Sequence, residues 1–217
     1  MIAIDGPAGA GKSTLASRIA RKLGYLNIET GAMYRALALK AIDNDVSFED
    51  EAALVRLTED SHISLEPRLD GNRVLLDNQN VSDRIREQDV TEAASKVSVH
   101  PRVRELMVTK QREMGKAGGV VMEGRDIGTK VFPDADVKIF LDAAAEVRGA
   151  RRFQQQNAAP HQEAAIVREL RDRDHRDRHR ANSPLEAATD AIVIDSTNLT
   201  LEDVIDRVEA IIAKKMK

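Results

Sequence analysis

Gly6, Pro7, Ala8, Gly9, Ala10, Gly11, Lys12, Ser13 and Thr14 satisfy the spacing G-x-x-x-x-G-K-[ST]. Glycines at these positions let a backbone curl around an anion with its N–H groups pointing inward, and a helix starting there adds the positive end of its dipole. Lys12 then reaches the β and γ phosphates of a nucleoside triphosphate, and a hydroxyl following it serves Mg2+. Ser13 and Thr14 both qualify as that hydroxyl. The context is the required one: apolar Ile2 to Asp5 reads as a strand, and a helical pattern runs through Leu15, Ile19 and Leu23 to a stop at Gly24. The plain alternative, a glycine-rich turn between strand and helix, has no use for the lysine.

Triphosphate binding does not fix a reaction, because motors, switches and small-molecule kinases share this loop. No Asn-Lys-x-Asp element is present to read guanine. A nucleic-acid motor needs stacking platforms and a basic footprint, whereas this chain has 3% aromatic residues and a formal charge of -3. Transfer to a small acceptor remains. Basic residues do cluster at Arg148, Arg151 and Arg152 and again from Arg168 to Arg180. By itself the second run is a solvated helix, its Glu169, Asp172, Asp174 and Asp177 interleaved with arginines at ion-pair spacing. Beside a phosphate loop it reads as a lid and substrate wall. His175 and His179 stand at i and i+4, but no Cys or further His completes a zinc site.

These groups need a scaffold. Ile2 to Asp5, Val120 to Glu123, Val137 to Asp142 and Ala191 to Asp195 are short β-branched runs separated by helical patterns, the signature of a parallel sheet covered on both faces. Tyr25 to Ile28 supplies a fifth strand. Helices are predicted over 32–42, 49–57 with Ser47 as N-cap, 87–99, 101–116 and 201–212. From Ser61 to Val81 the pattern changes to antiparallel strands around Asp70-Gly71-Asn72, and Gln154 to His161 is loop-like. The fold class is α/β, a doubly wound parallel sheet. One unit over 1–217 carries an insertion at about 60–85 and a lid with an arginine-rich helix at about 148–180.

Composition fits this reading: 42% hydrophobic and 32% charged residues suit an ordinary globular chain. The absence of cysteine points to a reducing cytoplasm. No stretch approaches the ~20 apolar residues that span a bilayer, and the N-terminus has no signal-like pattern, so no membrane partner is expected.

Four further blocks carry a resemblance. Glu29-Thr-Gly-Ala-Met-Tyr-Arg35, Glu123-Gly-Arg-Asp-Ile-Gly-Thr129, Val131-Phe-Pro-Asp134 and Arg173-Asp-His-Arg-Asp-Arg-His-Arg180, with the phosphate loop, resemble the bacterial cytidylate kinases across nearly the whole chain. The resemblance implies a nucleoside monophosphate kinase of the P-loop type. Such an enzyme transfers the γ-phosphoryl group of ATP, with Mg2+, to CMP and dCMP in pyrimidine nucleotide metabolism, acting as a monomer without nucleic-acid partners. It places the acceptor phosphate on Arg35, Arg125 and Arg180, the cytosine on Ser95, Arg104 and Asp126, and the sugar on Thr30, Arg173 and Asp177, with Arg86 a lesser candidate.

The chemistry agrees with those placements. Forked guanidinium groups suit phosphate oxygens. An aspartate accepts from the exocyclic amine of cytosine, where uracil presents a carbonyl. Lys12, Mg2+, Arg148, Arg151 and Arg152 are expected to stabilise the transferring group while Arg125 and Arg180 align the acceptor; no nucleophilic side chain is required. Outside the EGRDIGT block, Asp126 would read as a helix cap or an ion-pair partner. Asp142 resembles a Walker B carboxylate by position, yet a strand-terminal Asp often caps the next helix. The chain departs from many relatives at Glu29 and Thr30, where Asp and Ser are common; Thr30 keeps the hydroxyl. The inserted strands and the lid are expected to close around both substrates and exclude water. Alternatives are a kinase acting mainly on UMP or AMP, and an ATP-dependent nucleic-acid-associated protein.

Overall fold

The computed structural model describes residues 1–68, 71–156 and 162–216. Its centre is a parallel sheet of five strands in the order β2-β6-β1-β7-β8, formed by β1 (Ile2–Asp5), β2 (Leu26–Glu29), β6 (Val120–Gly124), β7 (Val137–Asp142) and β8 (Ile192–Asp195). Both faces of β1 are buried. Ile2 and Ile4 pack with Leu15 and Ile19 of α1 (Lys12–Leu23) and with Val204 and Val208 of α8 (Leu201–Lys215). Ala3, between them, packs on the opposite face with Ile28, Met122 and Val131. Because successive side chains point to opposite faces, a strand covered on both is apolar along its length, which is why Ile2, Ala3 and Ile4 read as an unbroken run.

A second core gathers α2 (Thr30–Asp43), α3 (Glu51–Glu59), α4 (Gln88–Val97) and α5 (Pro101–Gly115) around Leu37, Leu54, Val97 and Met107. A small antiparallel sheet of β3 (Ile63–Arg68), β4 (Gly71–Leu76) and β5 (Gln79–Asn80) joins this core through Ile63, Val74 and Leu76. Asp77 and Asn78, with φ of 49° and 68°, form the two-residue turn into β5. Of the expected Asp70-Gly71-Asn72 turn, Asp70 lies outside the described residues, and Gly71 and Asn72 open β4, Gly71 opposite Arg68.

Two expectations about boundaries are corrected. Ser47 does not cap α3; its Oγ accepts the N–H of Glu49 at 3.2 Å in a local turn. Asp50 is the cap, its Oδ1 accepting the N–H of Ala53 at 3.0 Å. The apolar period of a helix identifies its buried face but not its first turn, and here the nearer acceptor takes the free N–H groups. The loop-like stretch Gln154 to His161 is helical as far as Gln156, the end of α6 (Ala145–Gln156), and residues 157–161 lie outside the described residues.

α7 (Glu163–His179) returns alongside α6 to the carboxyl end of the sheet. The segment after β1 therefore emerges between β6 and β7, at the crevice where open α/β sheets bind ligands. Among the described residues no helix is long and apolar enough to cross a membrane.

Candidate active site

The chain leaves β1 through Gly6, whose φ is 147°; a Cβ there would lie 2.0 Å from the Leu141 carbonyl oxygen. The loop ends at Gly11, φ 95°, the residue that admits the chain into α1. Lys12 opens α1 and folds back, its buried Nζ donating to the Pro7 carbonyl at 2.7 Å. Burial and the Arg125 guanidinium push the Lys12 ammonium down to about 7, against the pull of Glu123 and Asp5.

Glu123 stands on β6 in register with Ile4 of β1, so its carboxylate reaches the mouth of the loop. Burial and Glu29 push it up to about 7, opposed by Lys12 and by a hydrogen bond to the Ser13 side chain. Its Oε1 has no hydrogen-bond partner among the described residues. A carboxylate oxygen left open beside a hydroxyl suits a hard divalent cation, so the donor set fits Mg2+.

A cleft of about 830 Å³ includes this loop in its lining. Arg151, Arg152, Ser196, Leu199 and Val204 line it, and so do Glu29, Arg125, Tyr34, Arg104 and Asp126. In its wall, Arg104 donates from Nη2 to Asp126 Oδ2 at 2.5 Å and from Nη1 to the Ser98 carbonyl at 3.1 Å. Its guanidinium lies 5.4 Å above the Tyr34 ring. Charges then alternate: Asp126 is 3.8 Å from Arg180, Arg180 is 3.7 Å from Asp177, and Arg125 donates to Asp177 at 2.9 Å. Burial disfavours the charged form of Asp177, but Arg125, Arg173 and Arg180 outweigh it and hold its carboxyl below the ordinary value.

Of the remaining residues predicted for the acceptor, Thr30, Arg35, Arg86 and Arg173 also line the cleft and Ser95 does not. Arg35 pairs with Glu29 at 2.5 Å, and Thr30 donates to the Glu123 carbonyl at 2.8 Å. Arg173 lines the cleft, its Nε without a partner among the described residues, and burial with Arg125 nearby lowers its guanidinium to about 10. Arg86, at the end of a 3-10 turn, is on the wall. Ser95 is buried outside the cleft lining, its Oγ accepting from Arg176 Nε at 3.2 Å.

The three arginines predicted to stabilise the transferring group differ in placement. Arg151 donates to the Ser196 carbonyl at 2.8 Å, and Arg152 sits 3.9 Å from Glu169; both face the cleft. Arg148 does not. It is 4% exposed and donates to the carbonyls of Ala8 at 2.9 Å and Ala143 at 2.7 Å and to Asp174 at 2.5 Å, bracing the phosphate loop from behind.

Asp142 accepts the N–H of Ala143 at 2.8 Å and lies 3.5 Å from Arg178, away from the cleft lining. The carboxylate at the loop is Glu123, on the other neighbour of β1, and sequence reading missed it. The available signal was an acid ending an apolar strand. His175 and His179 stack with ring centroids 4.1 Å apart, and no cluster of three or more potential metal ligands occurs among the described residues.

The family model described as "Cytidylate kinase" matches residues 2–214. The chain belongs to the cytidylate kinase family. It is 48% identical to the "Cytidylate kinase" of Geobacillus kaustophilus (strain HTA426), over 99% of this chain and 97% of that relative. It is 45% identical to the "Cytidylate kinase" of Aeromonas salmonicida (strain A449), over 97% of this chain and 92% of that relative. A solved structure of an uncharacterized protein from Eubacterium ventriosum ATCC 27560 matches with a TM-score of 0.50 at 12% identity, covering 98% of this chain and 97% of that one. That likeness concerns the fold alone. Membership of the cytidylate kinase family agrees with the resemblance read from the four sequence blocks, and it does not favour the alternatives weighed beside them.

Proposed function

We propose that this chain transfers the γ-phosphoryl group of ATP to CMP, with dCMP as a second acceptor, yielding ADP and CDP or dCDP. One observation carries the reading: a single cleft is lined both by Lys12 with the glycine loop and by the buried Arg104–Asp126 pair. A cytosine against that pair meets an acceptor for its exocyclic amine in Asp126 and donors for its carbonyl and ring nitrogen in Arg104. Uracil would set its carbonyl against the carboxylate.

The same cleft carries the groups that would hold a monophosphate. Arg35 Nε and Arg180 Nη2 are buried without hydrogen-bond partners among the described residues, which leaves them free to donate to its oxygens, and Arg125 lines the same cleft. Thr30, Arg173 and Asp177 take the sugar. Ser95 would join the base by releasing Arg176. On the donor side, loop N–H groups, Lys12, Arg151 and Arg152 hold the triphosphate, and Arg148 keeps the loop in shape. Ser13 or Thr14 would hold Mg2+ with Glu123 behind. When bound, the ion neutralises charge on the β and γ phosphates. Positioning and charge stabilisation suffice, and closure of the lid over both substrates keeps water from the γ-phosphate.

We read the chain as one unit over 1–217, acting as a cytoplasmic monomer in pyrimidine nucleotide metabolism, with the acceptor insertion near 60–85 and the lid near 148–180. The test is coupled ADP formation with ATP, Mg2+ and each of CMP, dCMP, UMP and AMP, for the wild type, Lys12→Ala and Asp126→Ala. The reading expects turnover largely restricted to CMP and dCMP, lost in Lys12→Ala and less base-selective in Asp126→Ala. ATP binding without stimulation by any monophosphate would sink it.

A further inference from the structure

Asp5 ends β1, one residue before the first glycine of the phosphate loop, and is absent from the cleft lining. Its side chain is buried, and its two carboxylate oxygens accept two consecutive backbone N–H groups: Oδ1 from Ile127 at 2.8 Å and Oδ2 from Gly128 at 2.7 Å. These amides open the single π-helical turn Ile127–Val131, and the residue that leads into it is Asp126.

A carboxylate offers two acceptors and no donor, so it receives adjacent N–H groups in a way no amide or hydroxyl reproduces. The rest of the joint is equally constrained. Asp5 is in register with Gly124 of β6 and Phe140 of β7, so the sheet fixes its backbone. A Cβ on Gly128 would lie 3.2 Å from Lys138 Cδ and 3.4 Å from Asp5 Oδ2. Lys138 is itself held by Asp190 at 2.8 Å. The π-helical turn is therefore gripped from one side and backed from the other.

We propose that Asp5 is a positioning residue for acceptor recognition: by holding Ile127 and Gly128 it sets the direction in which Arg125 and Asp126 face the monophosphate. The inference rests on the acceptor reading given above. It makes one strand end the common reference for both substrates, since the chain that cradles the donor phosphates starts where the grip on the acceptor turn ends. Burial dominates the surroundings of Asp5, Asp126 adds repulsion and Lys12 attraction, and the carboxyl is pushed up to about 6. A buried acid held against that cost is explained by the two amides it serves.

The experiment compares wild type with Asp5→Asn, measuring KM for CMP and for ATP separately, the ratio of kcat/KM for CMP over UMP, and hydrogen exchange at the Ile127 and Gly128 amides. Misdirection of the turn is expected to raise KM for CMP about tenfold and to shrink the CMP:UMP ratio, with KM for ATP within about twofold and the two amides exchanging faster. Unchanged KM and ratio in folded Asp5→Asn would overturn the inference. So would equal rises in both KM values, which is general loosening. If Asp5→Asn does not fold, Gly128→Ala decides, because it presses on the same contact: a smaller shift of the same sign supports the grip, and a wild-type ratio overturns it. A wild type with no preference for CMP over UMP would sink the acceptor reading alone; the joint is then judged on KM for the monophosphate that is used.

Discussion

Arg104 Nη2 lies 2.5 Å from Asp126 Oδ2, and the two side chains are 4% and 7% exposed. Such a pair has lost its hydration and is stable only while both charges remain. Arg104→Ala should destabilise the fold by about 3–5 kcal/mol, because among the described residues Asp126 is left with only the more distant Arg180. Replacing both, as Arg104→Met with Asp126→Leu, should recover most of that stability without recovering base selectivity. Urea unfolding of the single and double variants, alongside CMP and UMP kinetics, separates the two effects.

Lys12→Ala should lower kcat by about 10²–10³-fold while leaving CMP binding close to wild type, because Lys12 faces the transferring group rather than the base end. Equilibrium binding of CMP beside single-turnover rates checks both halves.

Gly6→Ala and Gly24→Ala test two kinds of left-handed glycine. At Gly6 the added Cβ would strike the Leu141 carbonyl oxygen at 2.0 Å, a backbone collision inside the sheet, and a loss above about 4 kcal/mol is expected. At Gly24, φ 67°, an added Cβ meets nothing within 4 Å beyond its own chain neighbours among the described residues, so only the conformational cost of about 1–2 kcal/mol remains. Thermal melts of the two variants should differ accordingly.

The ligand-free stability should have a minimum near neutral pH from three groups at the loop. Asp5 and Glu123 have folded values raised to about 6 and about 7, so folding takes up protons and their contribution, complete below about pH 4, is lost as pH rises through those values. Lys12 is lowered to about 7, so its contribution is complete above about pH 10 and lost as pH falls toward 7. Glu123→Gln should flatten much of the acid-side slope. Melting temperature against pH for both proteins, without nucleotide, is the check.

The phosphate loop and the parallel strands were legible because their causes are local. A strand buried on both faces must be continuously apolar, and glycines at 6, 9 and 11 are required by positive φ. The acceptor residues were legible only through resemblance, since nothing local marks Arg104 and Asp126, on α5 and after β6, as partners. Glu123 was missed because its role depends on lying beside β1 across the sheet, a pairing distant in sequence. Arg148 was grouped with Arg151 and Arg152 by proximity, while the direction of its guanidinium is set by how α6 packs. The start of α3 was misplaced because Ser47 and Asp50 are both capping residues and only geometry selects one.

The three-way grip of Arg148 has a consequence for motion. One guanidinium ties the phosphate loop at Ala8, the end of β7 at Ala143, and α7 at Asp174. Only the last of these crosses to the arm that carries Arg173 and Arg180. Were α7 displaced, Arg148 would lose its bond to Asp174, as Arg125 would lose Asp177 and Arg176 would lose Ser95, while the two carbonyl bonds of Arg148 would stay made. The phosphate loop and the end of the sheet would then remain joined through one guanidinium, so the shape of the cradle does not depend on where α7 lies.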